Sequence, residues 1–380
     1  MENIINYEEL DLSKFSTEEL KQILTKENIN KSLANTQQMN KKILINSLYG
    51  ALGSDYFRFY DVTNAEAVTS FGQLAIKWVQ NALNVYLNKV NRTDNVDYIV
   101  YTDTDSVYVD LEQFMNIANK NMNHEGEKLV DFMSLLCEKI TESVINVCYA
   151  NLKEYMNNIE NHMEMDREVV SIDGGLFVAK KRYALSVNDN EGVRYEDPKL
   201  KLIGIETQRS STPKAVTVAL KNSIKAIITQ GEPALQKVVK DFEDDFRTLD
   251  ISLICGASTA NNIFIHGDDD LKPNKGCPGH VKGALAYNRF IKNNDLSVAP
   301  INDGEKINIV SLKMPNPFGE KVFGWPAGAE IDPAFGDITK YIDYNALFED
   351  KFMKPINSMC ESIDNMAPIK KQTLASFFGG

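Results

Sequence analysis

The chain has 380 residues, of which 43% are hydrophobic, and it carries a formal net charge of −12 at pH 7. This composition is typical of a globular protein of roughly two or three domains. The sequence has no apolar run of about 18 residues, and its first residues, Met-Glu-Asn-Ile-Ile-Asn-Tyr-Glu-Glu, lack the basic and apolar regions of a signal peptide. We therefore predict a protein that is neither membrane-bound nor secreted.

The N-terminal part is predicted to be helical. Residues 16–19, Ser-Thr-Glu-Glu, have the pattern of a capping box, and a second helix is predicted over residues 33–52. A further capping pattern at residues 63–66 starts a long helix that ends near Lys89. The side chains predicted to be buried in the second and third of these helices are Leu44, Leu48, Leu52, Ala67, Phe71, Leu74 and Trp78.

Residues 101–106, Tyr-Thr-Asp-Thr-Asp-Ser, lie between two runs rich in β-branched and aromatic residues. This pattern predicts a β-hairpin with Asp103 and Asp105 at its tip, both on one face of an extended chain. Two close carboxylates repel each other unless a cation lies between them, and Mg²⁺ prefers such hard oxygen ligands. Taken alone, the pattern is also typical of turn residues that bind their own backbone.

Further along, a helix is predicted over residues 127–158, and strands over residues 163–172, 176–187 and 200–206. Thr212 and Pro213 mark the start of another helix, which ends near Gly231. Residues 177–214 contain eight basic and five acidic residues, so this stretch is basic within an acidic chain. Such a strip suits the binding of a polyanion, although a strand face that is only exposed to solvent could carry the same numbers of basic and acidic residues.

The five cysteines are scattered and odd in number, which indicates reduced thiols in a cytoplasm. Cys255, His266, Cys277 and His280 could form a zinc site. However, only Cys277 and His280 have the spacing of a ligand pair. Ordinary thiols and imidazoles are therefore the preferred interpretation.

Three motifs occur in a fixed order along the chain. Residues 42–50, Lys-Ile-Leu-Ile-Asn-Ser-Leu-Tyr-Gly, resemble motif B of family B DNA polymerases, and residues 101–106 resemble motif C. Residues 180–183, Lys-Lys-Arg-Tyr, resemble the Lys-Lys-x-Tyr motif of the same family. Other short matches run along nearly the whole chain. Together they are most similar to the replicative polymerases of T-even-type bacteriophages.

The resemblance implies an α+β fold, with the palm of a right-hand polymerase formed by an antiparallel sheet packed on helices. Residues 1–54 would form the C-terminal half of helical fingers, residues 55–209 the palm, and residues 210–380 a mostly helical thumb. The implied activity is template-directed addition of deoxynucleotides to a primer 3′ end by two-metal phosphoryl transfer. The implied substrates are primer–template DNA and deoxynucleoside triphosphates.

The resemblance also assigns roles to single residues. Asp105 and Asp103 would be the catalytic carboxylates: Asp105 would bridge two Mg²⁺ ions, and Asp103 would be a neighbouring ligand or a group that supports the ligands. Glu168 matches a carboxylate near the metals in relatives. The residues implied to bind the nucleotide are Lys42, Asn46 and Tyr49, which lie one above the other on a helix. The residues implied to bind DNA are Lys180, Lys181, Arg182, Tyr183 and Lys214.

Some family features are missing. Motif A, Asp-x-x-Ser-Leu-Tyr-Pro-Ser, carries another catalytic aspartate and does not occur here, and the exonuclease domain is absent as well. We therefore predict the C-terminal subunit of a split viral polymerase, working in the host cell cytoplasm with an N-terminal chain that carries motif A and the exonuclease. A truncated piece of a longer polymerase is the alternative. Thr102 stands where the family usually has glycine.

The last residues contain an aliphatic side chain three positions before paired aromatics, namely Leu374, Phe377 and Phe378. This pattern resembles the tail with which these polymerases bind a sliding clamp through a hydrophobic pocket. A disordered tail is the alternative interpretation.

Two other functions compete with that of a polymerase subunit. Asp103 and Asp105 after an apolar strand also resemble the nucleophile motif of haloacid-dehalogenase phosphatases, but that fold needs a helix after the motif, whereas residues 106–111 are typical of a strand. A non-catalytic fragment that binds DNA and tethers a clamp is the second alternative. The retained motif B and motif C residues argue against it.

Overall fold

A computed structural model describes residues 14–363, and within this range the fold is α+β, as predicted. The predicted clamp-binding residues, Leu374, Phe377 and Phe378, lie outside the described residues. The helices are α1 (Thr17–Leu52), α2 (Val62–Asn91), α3 (Glu112–Ala118), α4 (Gly126–Leu136), α5 (Glu142–Tyr155), α6 (Lys214–Gln230), α7 (Glu232–Phe246), α8 (Ile251–Ile254), α9 (Ile263–His266), α10 (Gly279–Asn293), α11 (Tyr344–Phe348) and α12 (Lys354–Cys360). The strands are β1 (Ile99–Asp103), β2 (Ser106–Val109), β3 (Val169–Val170), β4 (Gly175–Ala179), β5 (Arg182–Asn190), β6 (Val193–Ile203), β7 (Gly256–Ala260), β8 (Glu305–Ser311) and β9 (Val322–Pro326). In this part of the chain, no helix combines the length and the apolar character that a membrane span requires.

The first helix, α1, is one continuous helix rather than two. Its predicted capping box is confirmed, because the Glu19 backbone N–H donates to the Ser16 hydroxyl and the Ser16 backbone N–H donates to the Glu19 carboxylate. None of its residues, all of which are described, is buried. Leu44 and Leu48 are 72% and 58% exposed and Leu52 is half-buried, so the predicted buried stripe is wrong. Helical spacing shows which face of a helix could pack against another surface, but no other part of the described chain covers that face of α1.

The second helix, α2, lies where it was predicted but is capped differently. Asp61 is its N-cap and accepts a hydrogen bond from the Asn64 backbone N–H at 3.2 Å, so the cap is not Thr63. Ala67 is exposed, which contradicts the prediction, whereas Phe71, Leu74 and Trp78 pack against a hydrophobic core as expected. The fully buried stripe of the helix consists of Ala75, Val79, Leu83, Leu87 and Asn91.

The helix predicted over residues 127–158 is present as α4 and α5, joined by a π-helical turn at Cys137–Thr141. Helix α5 packs against α2 and buries Tyr149 and Leu152 in their shared core. The β1–β2 hairpin rests on the same core through Ile99 and Val107. The packed pair of α2 and α5 therefore supports the hairpin that carries the two predicted carboxylates.

Strand β5 is the centre of an antiparallel sheet. Strand β6 pairs along one edge of β5, while β3 and β4 pair with successive parts of the other edge. The single strand predicted over residues 176–187 is therefore wrong, because a tight turn at Lys180 and Lys181 divides it into β4 and β5. Lys181 has a φ of 61°, a left-handed conformation that sequence patterns do not predict for lysine.

The C-terminal part begins with α6, which starts directly after Pro213 and ends at Gly231, as predicted. The largest hydrophobic core runs from β4, β5 and β6 through α6, α7 and α10 to α12. Strands β7, β8 and β9 form a separate antiparallel sheet, and α10 packs on β9. Because the core is continuous, it fixes the start of α6 relative to the β5 sheet.

Candidate functional site

The candidate site is built on the β1–β2 hairpin, hereafter the aspartate hairpin. Asp103 pairs with Ser106, which leaves Thr104 and Asp105 as the two residues of the turn. The predicted hairpin with carboxylates at its tip is confirmed. However, Asp105 does not lie on an extended chain, because the strand ends at Asp103 and Thr104 has a φ of 53°. Since Ser106 continues as strand β2, the helix that a haloacid-dehalogenase phosphatase needs here is absent from the described hairpin.

The two carboxylates differ in their surroundings. Asp105 is exposed at the tip, and its backbone N–H donates to the Asp103 carbonyl at 2.6 Å. Asp103 is half-buried, and its Oδ1 accepts a hydrogen bond from the Thr104 hydroxyl at 3.0 Å. Asp103 is therefore held in place by the protein, while Asp105 is free to receive a ligand from solvent.

Four aromatic rings join the aspartate hairpin to the β5 sheet. Their centroids lie 5.2–5.7 Å apart, and the four residues are Tyr101, Tyr108, Phe177 and Tyr183. The hydroxyls of Tyr108 and Tyr183 are 2.6 Å apart. Burial raises the pKa of Tyr183 well above its usual range, and the bond to Tyr108 and the charges of Asp103 and Glu168 raise it further. Tyr183 therefore stays protonated and keeps the two surfaces connected.

The turn formed by Lys180 and Lys181, hereafter the lysine turn, lies beside the hairpin. The Lys181 backbone N–H donates to the Tyr101 hydroxyl at 2.7 Å. The Lys181 Nζ lies 3.4 Å from Oδ1 of Asp103, and both lysine side chains are exposed. The structure thus brings a predicted DNA-binding lysine and a predicted catalytic carboxylate together, although they are far apart in sequence.

The other two residues of this motif have protein partners. The Arg182 Nη2 donates to both carboxylate oxygens of Glu206, at 2.7 and 2.9 Å. Tyr183 is buried and bonded to Tyr108. The exposed cations next to the hairpin are therefore Lys180 and Lys181, and direct DNA contact by Arg182 and Tyr183 stays a prediction.

Glu168 is held from two sides. Its carboxylate lies 2.5 Å from the Lys201 Nζ, and its carbonyl accepts the Glu191 backbone N–H at 2.7 Å. The neighbouring Arg167 forms an ion pair with buried Asp189, which also lies 3.1 Å from Nε of Arg194. Sequence analysis missed Lys201, Asp189 and Arg194 as site residues. Their only signal was the high density of charge between residues 177 and 214.

The predicted nucleotide-binding residues lie on α1, where Lys42, Asn46 and Tyr49 are exposed on one side of the helix. Within the described residues, no hydrogen bond or ion pair connects them to the aspartate hairpin. Lys214 is exposed in the first turn of α6. The nucleotide-binding and thumb assignments therefore stay predictions.

In the part of the chain that the structure describes, no three His, Cys, Asp or Glu side chains come close enough to hold a metal ion. Among the described residues, neither the predicted zinc set around Cys277 and His280 nor the three carboxylates of Asp103, Asp105 and Glu168 form such a group. The two hairpin carboxylates nevertheless suit Mg²⁺, which binds through one or two carboxylates with phosphate oxygens and water as its other ligands.

Comparisons with known proteins identify the family of the chain. The family model of DNA polymerase family B matches residues 14–275, more than half of the chain. The chain is 45% identical over 356 residues to the DNA-directed DNA polymerase of Enterobacteria phage T4, which covers 92% of this chain and 39% of that protein. It is 40% identical over 375 residues to that of Escherichia phage RB69, which covers 97% of this chain and 41% of the relative. The chain thus spans about two fifths of the length of these relatives, and it belongs to DNA polymerase family B.

Proposed function

We propose that the chain carries the catalytic hairpin, the primer-binding turn and one nucleotide-binding helix of a template-directed DNA polymerase. In this proposal residues 1–54 belong to the fingers, residues 55–209 to the palm and residues 210–380 to the thumb. The observation that carries the proposal is the contact between Lys181 and the aspartate hairpin, 3.4 Å from Nζ to Asp103 Oδ1. A cation that can bind a primer phosphate then lies beside the carboxylates that can hold a metal.

The chemistry follows from the charges. Phosphoryl transfer depends on positioning and on neutralising the charge of the phosphates. Asp103 and Asp105 would hold Mg²⁺, with Glu168 nearby, and the bound ions would supply that neutralisation for the primer 3′ oxygen and the leaving pyrophosphate. Lys181 keeps the primer end next to Asp103. The buried Tyr183 and its partner Tyr108 keep the two surfaces at a fixed separation.

The nucleotide would reach this site from α1. Lys42 and Asn46 lie one turn apart on α1 and offer a positive charge and an amide donor to a triphosphate. Tyr49, further along the same face, would contact the minor-groove side of the new base pair. Lys214, at the start of α6, would contact the duplex backbone.

A second polypeptide segment is needed to complete this site. The sequence lacks motif A, whose aspartate would be a further metal ligand. Among the described residues, β1 and β2 pair only with each other, so both outer edges of the hairpin are open, and α1 buries none of its residues. We therefore propose an N-terminal partner chain that carries motif A and the exonuclease.

The remaining proposals do not rest on the structure. A sliding clamp would bind Leu374, Phe377 and Phe378, which lie outside the described residues. The host cell cytoplasm is the proposed location, because the similar polymerases belong to bacteriophages.

Primer extension tests the proposal. The purified chain should bind a primer–template duplex but should not extend it with Mg²⁺ and deoxynucleoside triphosphates. Adding the partner polypeptide with motif A should start extension. Efficient extension by the isolated chain would contradict the incomplete site, and absence of DNA binding would contradict the polymerase assignment.

A further inference from the structure

A short segment, residues 204–212, connects the end of β6 to the start of α6. We call it the junction segment. It lies directly against the lysine turn. None of the three polymerase motifs includes it, and they therefore assign it no function. Two separate contacts join the junction segment to the turn.

The first contact is between backbones. Gly204 has a φ of 64°, and a Cβ atom at this position would lie 1.9 Å from the Lys181 carbonyl oxygen. Only glycine allows both this conformation and this approach. The junction segment therefore touches the backbone of the lysine turn with no side chain between them.

The second contact is an ion pair. The Arg182 Nη2 lies 2.7 and 2.9 Å from the two oxygens of Glu206, and the two side chains are 27% and 18% exposed. The Arg182 Nε is buried and has no hydrogen-bond partner among the described residues. Glu206 is thus the carboxylate that compensates this guanidinium, and a pair this well shielded is stronger than a surface ion pair.

Glu206 is in turn connected to α6. Its carbonyl accepts hydrogen bonds from the Arg209 backbone N–H at 3.0 Å and from the Thr212 hydroxyl at 2.6 Å. Thr212 immediately precedes Pro213, the N-cap of α6. One continuous set of contacts therefore leads from the lysine turn to Thr212, two residues before the first residue of the helix.

We propose that Glu206 is a positioning residue, which holds the lysine turn through Arg182 and thereby sets how tightly Lys181 binds the primer. The inference rests on the proposed function, because it assumes that Lys181 contacts DNA. Glu206 itself contacts no DNA in this account. Without its charge, Arg182 is released, and the strained Lys181 backbone can relax away from Tyr101 and Asp103.

The contact can be tested without DNA. Glu206→Gln keeps the size of the side chain and removes its charge. Glu320→Gln is the matched control, because Glu320 is similarly shielded and lies 3.4 Å from the Arg289 guanidinium, away from the lysine turn. In the full-length chain, hydrogen exchange of the Lys181 amide should be at least about ten-fold faster in Glu206→Gln and unchanged in the control. Equal exchange in both variants would overturn the proposed contact.

The functional part is tested by primer–template binding. Glu206→Gln should weaken binding about ten-fold, with no further loss when Lys181→Ala is already present, because Glu206 acts through the turn. An equal loss with and without Lys181 would overturn the inference. If the wild-type chain binds no primer–template, the proposed function is wrong. The hydrogen-exchange measurement would still decide whether the contact between Glu206 and the lysine turn exists.

Discussion

At the scale of single residues, Asp189 is the most completely buried charge near the site. It is 1% exposed, and its carboxylate interacts with Arg167, Arg194 and the Gly192 backbone N–H. Arg167 precedes Glu168, so the buried carboxylate anchors the chain that presents Glu168. Arg167 lies 22 residues before Asp189, which is too far in sequence for a local pattern to reveal their ion pair.

Removing this charge should destabilise the fold. In Asp189→Asn, the partly buried guanidiniums of Arg167 and Arg194 lose their shared carboxylate, and we expect the free energy of unfolding to fall by about 3 kcal/mol. Asp350→Asn is the control, because Asp350 pairs with Lys354 at the surface and should contribute under about 1 kcal/mol. Urea unfolding measures both values. Equal, small losses would show that the buried cluster contributes little.

His280 gives the stability a dependence on pH. Burial, and then the charge of His266, lower the pKa of His280 below its usual value. As pH falls below about 6.5, the unfolded chain takes up a proton that the folded chain resists, so the free energy of unfolding decreases. His280→Gln should flatten this decrease between about pH 6.5 and 5, whereas His162→Gln, at an exposed position, should not. Identical slopes in both variants would exclude His280 as the cause.

The two predicted basic sites should separate kinetically. Lys42→Ala should raise the KM for deoxynucleoside triphosphate about ten-fold, whereas Lys181→Ala should weaken primer–template binding by a similar factor. The reason is that in the proposed site Lys42 would contact the triphosphate and Lys181 the primer. Lys31→Ala, on the same helix as Lys42, should change neither value. Varying nucleotide and DNA separately in the complex with the partner chain measures this. The opposite pattern would contradict the assignment of both sites.

At the scale of elements, local signals predicted where helices and turns occur but not what covers them. The Ser16 cap, the Pro213 start and the Gly231 end were all predicted correctly. The stripe through Leu44 and Leu48 was not, because periodicity describes one surface and burial requires two. The division of β4 from β5 was missed for another reason: long-range contacts stabilise the left-handed Lys181.

Those long-range contacts can be tested with two glycines. Gly192 and Gly204 have φ values of 84° and 64°, but a Cβ atom would meet nothing within 4 Å at Gly192 and the Lys181 carbonyl at 1.9 Å at Gly204. Gly192→Ala should therefore lower the free energy of unfolding only by the cost of the left-handed backbone, about 1–2 kcal/mol. In Gly204→Ala the free energy of unfolding, measured with urea, should fall clearly further than in Gly192→Ala. It should also weaken primer–template binding. Equal losses would mean that the close approach is not required.

At the scale of the whole molecule, the sequence allowed the family, the α+β class and the aspartate hairpin to be predicted, because motifs and turns are local. The contacts that assemble the site could not be predicted. Tyr101 with Lys181, Tyr108 with Tyr183, and Arg182 with Glu206 are pairs that only the folded chain brings together. Thus the motifs identify the chemical groups, and the core between the hairpin and the β5 sheet determines their positions.

The central claim is that the aspartate hairpin is the catalytic metal site of a polymerase. The most direct test is the Mg²⁺-dependent rate of single-nucleotide extension by the complex with the partner chain, compared between wild type, Asp105→Asn and the control Asp94→Asn. Asp94 is an exposed aspartate in the loop before β1. Our account predicts that Asp105→Asn falls below a tenth of the wild-type rate, a barrier increase above about 1.4 kcal/mol, while primer–template binding and the control stay unchanged. If Asp105→Asn keeps more than a tenth of the rate, Asp105 is not a metal ligand of the reaction, and the proposed site is wrong.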